Sequence, residues 1–284
     1  MSSSKSEVTV APTQPHDRAG RNLVAATGVG LVLGGLVLGS LFVRKELFVG
    51  LVAIAVVLAI WELATALASG GPRVALVPIA FGAAVMVVAA FVAGPDGLLV
   101  AATVTVLVVL VWRLPAGVAG YVRDVTASTF IVLYVPLLAG FTMLMLRADD
   151  GPVRLVVFFL VTVCSDVGGY AAGVTLGRHP MAPSVSPRKS WEGFAGSVTA
   201  CAVGGALSVV LLLDGLWWQG VLVGLAAVCT ATLGDLAESM VKRDLGLKDM
   251  GSLLPGHGGL MDRLDSLLPT APVVYTLLAV FVAA

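Results

Sequence analysis

The residues most suited to chemistry lie near the C-terminus of this sequence, between Gly234 and Ser266. A helix would place four polar residues on one face, because they are spaced i, i+3, i+4 and i+7. These residues are Asp235, Glu238, Ser239 and Lys242. The residues before them are apolar, so this polar face continues an apolar helix rather than covering a soluble one. Such a face favours a functional site over a solvated surface.

The residues that follow this helix add cations, glycines and further carboxylates. Glycines flank His257 and would let backbone amides approach an anionic ligand closely. Asp235, Asp262 and Asp265 carry the hard oxygen ligands that Mg²⁺ takes together with substrate phosphates. Cations, a glycine-rich turn and several carboxylates in one stretch indicate metal-assisted phosphoryl chemistry.

Two earlier clusters carry polar residues into otherwise apolar sequence. Asp166 lies within the segment Ser165–Tyr170, where adjacent glycines would allow close approach of a ligand. Arg188 and Lys189 lie beside serines in the segment Ser186–Gly193, which we predict to be a loop entering a helix. Paired cations at a helix start suit phosphate, although a positive membrane anchor has the same composition.

The composition indicates a membrane protein. Of the 284 residues, 58% are hydrophobic and 12% are charged, whereas soluble domains have about 45–50% and about 25%. This excludes a disordered chain, a disulfide scaffold and an ordinary soluble enzyme. A formal net charge of zero argues against a nucleic-acid partner. The three cysteines lie in apolar segments and predict neither a metal site nor a redox role.

Apolar runs of the length that a bilayer requires predict an all-α, polytopic fold of about nine transmembrane helices with a polar, cytoplasm-facing cleft. The predicted spans are 22–42, 47–69, 74–93, 97–113, 125–146, 153–176, 193–213, 219–243 and 266–284. We divide the chain into a disordered cytoplasmic tail (1–21), a transmembrane scaffold (22–150) and a catalytic region (151–284). In the scaffold, Glu62 is an acid within a span; a helix-packing role is favoured, and a functional role stays open.

The distribution of cations predicts the orientation. With the N-terminus in the cytoplasm, 13 of the 17 lysines and arginines fall inside. Those left outside are Arg44, Lys45, Arg147 and Arg154. The positive-inside rule therefore favours a cytoplasmic N-terminus and site, in a cell inner or plasma membrane.

The C-terminal cluster resembles the signature of phosphatidate cytidylyltransferases, and the match extends over 27 residues from Ser239 to Asp265. It is carried by Ser239, Val241, Lys242 and Arg243; by Lys248, Asp249 and Gly251; and by Leu254, Pro255, His257, Gly258, Gly259, Leu260, Asp262, Arg263, Leu264 and Asp265. The segment Ser186–Gly193 is similar to the family's S-P-K-K-T-W-E-G, with Arg188 and Ser190 as conservative departures. The segment around Asp166 is similar to the family's preceding element.

The resemblance implies transfer of the cytidylyl group of CTP to phosphatidate, giving CDP-diacylglycerol and pyrophosphate. It implies Mg²⁺, with room for a second metal or a monovalent cation such as K⁺, and a homodimer. We predict metal ligands at Asp235, Asp262, Asp265 and Asp166. Catalytic roles are predicted for Lys189, Lys242, Arg243, Asp249, His257, Asp262 and Asp265. Substrate contacts are predicted for Ser186, Arg188, Lys189, Glu192, Ser239, Lys242, Arg243, Gly258, Gly259 and Arg263, with Glu238 in support.

Three alternatives remain open at this point. A secondary transporter would also place acids in spans, but it would show inverted repeats, and none is clear. A CDP-alcohol phosphatidyltransferase would show a D-G-x-x-A-R run, which is absent. A non-catalytic relative would not need the complete signature.

Overall fold

The computed structural model describes residues 23–253 and 258–282, and most of these residues are helical. The long helices of the first part are α1 (Leu23–Val43), α2 (Lys45–Ser69), α3 (Leu76–Arg113), α4 (Tyr121–Val132) and α5 (Leu138–Arg147). They are followed by α6 (Gly151–Leu176), α7 (Trp191–Leu213), α8 (Trp217–Asp244), the short α9 (Met261–Leu264) and α10 (Leu267–Phe281). The predicted tail, 1–21, and His257 lie outside the described residues.

The helices confirm the all-α, polytopic membrane class. Within the described part of the chain, seven helical stretches are long and apolar enough to cross a membrane. Helix α1 adds a shorter apolar stretch, Val32–Val43. Helix α3 contains the predicted span 97–113 and all but the first two residues of the predicted span 74–93. The predicted span 125–146 falls within a continuous stretch from α4 to α5.

Helix α3 reverses direction near its middle. Gly94 has a φ of 72° and a ψ of −152°, which no helix contains, and Pro95 follows it. Gly82 packs directly against the side chain of Thr105, 23 positions further along the chain. A straight helix would separate these residues by about 35 Å. The two parts of α3 therefore lie side by side and antiparallel.

The two ends of the helix bundle carry different residues. At one end Nζ of Lys45 donates to the carbonyl of Ala148 (2.5 Å), and the guanidinium of Arg147 lies against Gly94. At the other end Gly70, just after α2, packs against Leu245, just after α8. The connections around residues 44, 94 and 148 thus lie at one end of the helix bundle, as the predicted orientation requires. The signature segment lies at the opposite end.

Helices α6, α7 and α8 pack closely through small residues. A Cβ atom at Gly168 would lie 2.6 Å from the Cβ of Ala200, and one at Gly205 would contact the carbonyl of Gly220. Contacts this close leave no room for side chains between the backbones, as in many membrane helix pairs. The close packing fixes the polar residues of α6 and α8 relative to those at the start of α7.

A small antiparallel β-hairpin corrects the prediction of a simple loop before α7. Strand β1 (Pro180–Ala182) pairs with strand β2 (Ser186–Ser190), and β2 leads directly into α7. Ser190 caps that helix, because its hydroxyl accepts a hydrogen bond from the backbone N–H of Gly193 (3.1 Å). The hairpin holds Arg188 and Lys189 on an ordered strand rather than on a loose connection.

Candidate active site

A cavity of about 330 Å³ lies between α6, strand β2 and helices α7 and α8. Five of its lining residues are among those predicted from the sequence, namely Asp166, Ser186, Arg188, Lys189 and Asp235. Ser266, before α10, lies at its edge. The three polar clusters of the sequence, which are up to 100 residues apart, therefore converge, and the first two share this cavity with the start of the third.

Lys189 and Asp235 form an ion pair across the cavity. Nζ of Lys189 lies 2.5 Å from Oδ2 of Asp235, which joins strand β2 to helix α8. Both side chains keep a quarter to a third of their surface exposed. Arg188 lines the same cavity, and its residue surface is exposed. An anion that enters the cavity thus meets one paired cation and one cation on the accessible edge.

A second ion-paired group lies one to two helical turns further along α8. Nζ of Lys242 lies 3.1 Å from Oε1 of Glu238 and 2.8 Å from Oδ1 of Asp262. Glu238 is fully buried, and its Oε2 atom has no hydrogen-bond partner among the described residues. One ammonium group therefore compensates two carboxyl groups in a largely buried position.

Asp262 also holds the signature segment together. We call residues 247–253 the first arm and residues 258–261 the second arm of this segment. Oδ2 of Asp262 accepts hydrogen bonds from the backbone N–H groups of Met250 in the first arm (3.0 Å) and Gly259 in the second (2.9 Å). Both carboxylate oxygens of Asp262 are therefore engaged by the protein, one by Lys242 and one by the two arms.

Three acids near this group lie within electrostatic reach of one another. Asp166, Asp235 and Asp265 lie close enough to repel one another electrostatically. Oδ1 of Asp265 accepts a hydrogen bond from the backbone N–H of Ser266 (2.7 Å), and Arg263 interacts electrostatically with Asp166. Three carboxyl groups thus share this part of the site with Lys189 and Arg263.

This acidic group fits a divalent cation that binds together with a polyphosphate. Within residues 23–253 and 258–282, no three His, Cys, Asp or Glu side chains converge closely enough to hold an ion by themselves. Mg²⁺, however, commonly takes only one or two carboxylates and completes its shell with water and substrate phosphates. Asp166, Asp235 and Asp265 meet that requirement. Asp262 faces Lys242 and the two arms, and its assignment as a metal ligand stays a prediction.

Several other predicted residues have structural contacts in this arrangement. Glu192 accepts hydrogen bonds from the backbone N–H groups of Arg178 and His179, and its Oε1 lies 2.5 Å from Nδ1 of His179. It therefore closes the base of the hairpin. Nε of Arg243 donates to the carbonyl of Val185 in the hairpin turn (3.3 Å). Their direct contact with substrate stays a prediction.

The remaining predicted residues surround the two ion-paired groups. The hydroxyl of Ser239 donates to Oδ1 of Asp235 at 3.4 Å. Gly258 has a φ of 85° and lies near Asp249, so the backbone turns sharply there. Gly259 is tightly enclosed by Gly251, Asp262 and Glu62. Their predicted catalytic and substrate-binding roles are not tested by these contacts.

Tyr134 is a residue of this site that the sequence analysis does not identify. It lies in a π-helical turn, Leu133–Leu137, that joins α4 to α5 and contains Pro136. Its buried hydroxyl has no hydrogen-bond partner among the described residues, and it lies within electrostatic reach of Glu238, Asp265 and Asp235. Single π turns in α-helices are frequent at functional sites. Pro136 inside an apolar span is the sequence signal that marks this distortion.

Glu62 is the second residue from the first half that reaches the site. Its side chain is 2% exposed, and Oε2 accepts a hydrogen bond from the backbone N–H of Met261, 199 positions away (2.8 Å). The sequence marks Glu62 as an acid inside a span, but nothing in its neighbourhood indicates a partner near the C-terminus. The structure shows that this partner is the signature segment.

Comparison with known proteins gives a consistent result over nearly the whole chain. Residues 24–281 match the model of the cytidylyltransferase family. A protein of Mycobacterium leprae (strain TN) named phosphatidate cytidylyltransferase is 42% identical over 282 residues, which cover 94% of this chain and 90% of the relative. A protein of the same name from Mycobacterium tuberculosis (strain H37Rv) is 38% identical, with 94% and 85% covered. One from Brucella suis is 40% identical over 148 residues, half of this chain.

Proposed function

This chain belongs to the cytidylyltransferase family, and from that premise we propose that it transfers the cytidylyl group of CTP to phosphatidate. The products are CDP-diacylglycerol, a precursor of phospholipids, and pyrophosphate. The observation that carries this proposal is the cavity in which Arg188 and Lys189 face Asp166 and Asp235. Cations and carboxylates at one end of a membrane helix bundle suit a site in which two polyanionic substrates, CTP and phosphatidate, bind next to each other.

The proposed reaction requires no strongly activated side chain. An oxygen of the phosphatidate phosphate forms a bond to the α-phosphorus of CTP. The bond from that phosphorus to the oxygen bridging to the β-phosphate breaks, and pyrophosphate leaves with the electron pair. The task of the protein is to hold both phosphates in line and to offset the developing charge.

The ion pairs indicate how the residues divide this task. Arg188, at the accessible edge of the cavity, and Lys189, deeper within it, are placed to hold phosphate oxygens as they enter. Lys242 is buried and fixed by two carboxyl groups, so it provides a positive charge that cannot move far. We assign Asp262 to the positioning of Lys242 and of the two arms.

The acidic group is where a metal would bind in this proposal. Asp166, Asp235 and Asp265 would hold Mg²⁺ together with the triphosphate of CTP. When bound, the ion would offset the negative charge of the phosphates and of the leaving pyrophosphate. A second metal ion or a monovalent cation such as K⁺ would have to share these residues with it.

Access for a lipid substrate is supported by the apolar residues beside the cavity. Tyr170 lines the cavity from α6 and is 75% exposed, and Val167 and Val174, one turn to either side, are also exposed. These residues would face the acyl region of a membrane. The phosphate of phosphatidate could enter between them while its chains stay in the bilayer.

We further propose nine membrane crossings with the site on the cytoplasmic side of a cell inner or plasma membrane. Counting α1 and the two antiparallel parts of α3 separately gives nine, and loops 44, 94 and 148 then share one side. The positive-inside rule places that side outside. A homodimer is also expected, and the mass of the purified protein in detergent would test it.

The function is tested with purified protein in detergent, phosphatidate, radiolabelled CTP and Mg²⁺. Label that becomes lipid-soluble, with release of one pyrophosphate for each labelled lipid, is the expected result. Diacylglycerol in place of phosphatidate is the matched control, because it lacks the attacking phosphate and should yield no labelled lipid. Absence of labelled lipid with phosphatidate would contradict the proposal, and CTP-independent flux in proteoliposomes would favour a transporter instead.

A further inference from the structure

Glu62 connects the first half of the chain to both arms of the signature segment. It lies in the C-terminal third of α2, near the end of the bundle that carries the site. The backbone N–H of Met261, which ends the second arm, donates to Oε2 of Glu62 at 2.8 Å. This hydrogen bond joins residues 199 positions apart in the sequence.

The glycines of the two arms pack directly on the Glu62 carboxyl group. A Cβ atom at Gly251, in the first arm, would lie 2.2 Å from Oε1 of Glu62. One at Gly259, in the second arm, would lie 2.8 Å from Oε2 and 2.8 Å from the backbone nitrogen of Gly251. Real Cβ atoms are not found at such distances from their neighbours, so both positions require glycine while Glu62 is in place.

The arms are therefore held between two carboxyl groups. Asp262 accepts the N–H groups of Met250 and Gly259 on one side, and Glu62 accepts the N–H of Met261 on the other. Gly259 lies between the two acids, because a Cβ there would also approach Oδ2 of Asp262 (2.9 Å). Since Asp262 in turn binds Lys242, a shift of the second arm would move that ammonium group.

The chemistry of Glu62 argues against a role as simple helix packing. Among the described residues no lysine, arginine or histidine pairs with it, and its Oε1 atom has no hydrogen-bond partner. Burial of a carboxyl group without a cation is unfavourable, so an apolar residue would pack at this position with less cost. What Glu62 provides and an apolar residue cannot is an acceptor for the Met261 amide.

We propose that Glu62 is a positioning residue, which fixes the two arms so that Asp262 holds Lys242 at the reacting phosphates. This inference rests on the proposed function. The first half of the chain is then part of the catalytic apparatus and more than a scaffold for it. Glu62 contacts Gly251, Gly259 and Met261, none of which lines the cavity, so we assign it a role through the signature segment.

Three substitutions at this position test whether Glu62 acts as a hydrogen-bond acceptor or only fills space. Glu62→Gln keeps an oxygen acceptor at the same reach, whereas Glu62→Asp is one methylene shorter and Glu62→Met has no acceptor. We expect kcat to fall by at least about tenfold in Glu62→Asp and Glu62→Met, because these variants lose one hydrogen bond to the signature segment. In Glu62→Gln, which keeps an oxygen acceptor, kcat should stay within about threefold of the wild-type value. The KM for CTP should change less than kcat.

Hydrogen–deuterium exchange provides a readout that does not depend on activity. Amide exchange in the peptide containing residues 258–264 should accelerate in the Asp and Met variants and remain close to wild type in Gln. Asp124→Asn is the matched control, because Asp124 is an equally buried acid of the first half that contacts Arg113 and not the signature. That variant should lower the unfolding temperature without accelerating exchange in 258–264.

A double substitution tests the contact itself. Gly251→Ala should reduce turnover in the wild-type background, because the new methyl group overlaps Oε1 of Glu62. In the Glu62→Ala background the overlap is gone, and the same substitution should have little further effect. Additive losses would contradict the inference.

The outcomes distinguish this inference from the proposed function. A wild-type protein that makes CDP-diacylglycerol, together with a Glu62→Met variant that keeps full kcat and unchanged exchange, would overturn the inference and leave the function intact. A wild-type protein without cytidylyl transfer would overturn the function, and with it any catalytic role of Glu62. The exchange measurements would still decide whether Glu62 orders the arms.

Discussion

The ammonium group of Lys189 lies 2.5 Å from a carboxylate oxygen of Asp235. This pair joins strand β2 of the hairpin to helix α8, although helix α7 separates these two elements along the chain. A cation that already has a counterion gains less from a new anion than a free cation does. In the proposed function, phosphate binding at Lys189 would therefore be an exchange of partners, and the freed Asp235 would become available to another cation.

The exchange predicts the behaviour of variants of this pair. Lys189→Met should lower kcat/KM by about 100-fold or more, because a donor aimed at a transferring phosphoryl group is lost. Asp235→Asn should also lower activity, although Lys189 is then free. The double variant should be no more active than either single one.

A structural role for the pair would give a different result. If Lys189 and Asp235 only tied the hairpin to α8, removing both charges would restore much of the activity lost with one. Recovery of turnover in the double variant would therefore contradict the assignment. Initial rates over a range of CTP concentrations, with unfolding temperatures for each protein, make this measurement.

Lys242 should be essential for both stability and turnover. Lys242→Met leaves Glu238 and Asp262 without a cation in a largely buried position, which costs about 3–5 kcal/mol when one partner of a buried pair is lost. We expect a clear fall in unfolding temperature and no detectable CDP-diacylglycerol.

Glu238→Gln in the same background separates the two effects. Removal of one of the two carboxyl groups left without Lys242 should restore part of the unfolding temperature, whereas turnover should stay absent because the ammonium group is still missing. Turnover that recovers together with stability would show that Lys242 has only a structural role.

Tyr134→Phe tests whether the first half contributes a hydroxyl to the site. The hydroxyl has no partner among the described residues, so its removal should leave the unfolding temperature unchanged or raise it slightly. If it donates to substrate or to the acidic group during turnover, kcat should fall by about fivefold to tenfold, in line with one lost hydrogen bond. Unchanged kcat in a fully folded variant would limit Tyr134 to packing.

Glu192 is expected to act through the hairpin. Glu192→Ala removes the acceptor for the backbone amides of Arg178 and His179, so Arg188 and Lys189 lose their fixed position and the KM for CTP should rise by about tenfold. His179→Ala is the matched control, because it removes the ring contact and keeps both amide contacts. Its side chain is 77% exposed, and the change should have little effect. Equal effects of both variants would contradict this account.

Metal dependence is expected because the carboxyl groups of Asp166, Asp235 and Asp265 lie within electrostatic reach of one another. Turnover should stop when divalent cations are chelated and return on addition of Mg²⁺, since the triphosphate would otherwise have to bind beside three carboxyl groups with no divalent cation to offset its charge. Asp235→Asn should raise the Mg²⁺ concentration needed for half-maximal rate. Full activity after chelation would remove the metal from the proposal.

Much of this arrangement could be predicted from sequence because the relevant signals are local. The helical spacing of Asp235, Glu238 and Lys242 places them on one face, and α8 confirms it. Polar residues in apolar segments are rare, so Asp166 and Lys189 could be recognised as site residues without knowledge of their contacts. Apolar runs of sufficient length predicted the membrane class for the same reason.

The contacts that the sequence did not reveal are those between distant segments. Glu62 and Met261 are 199 positions apart, and neither residue type indicates the other. Tyr134 lies in the π turn at Pro136, and its nearness to the acids joins the first half of the chain to helix α8 and the residues before α10. The hairpin also escaped prediction, because strands of three and five residues are too short to show an alternating pattern.

The pairing of Lys189 and Lys242 with carboxylates has a consequence for selectivity. A ligand must displace a tethered acid from Lys189 before it can bind there, and a singly charged anion offers little in return. A triphosphate brings several charges at once and can engage Arg188 while it competes for Lys189. If the proposed function holds, the resting site would thus select ligands by their charge and would bind the abundant small anions of its surroundings only weakly.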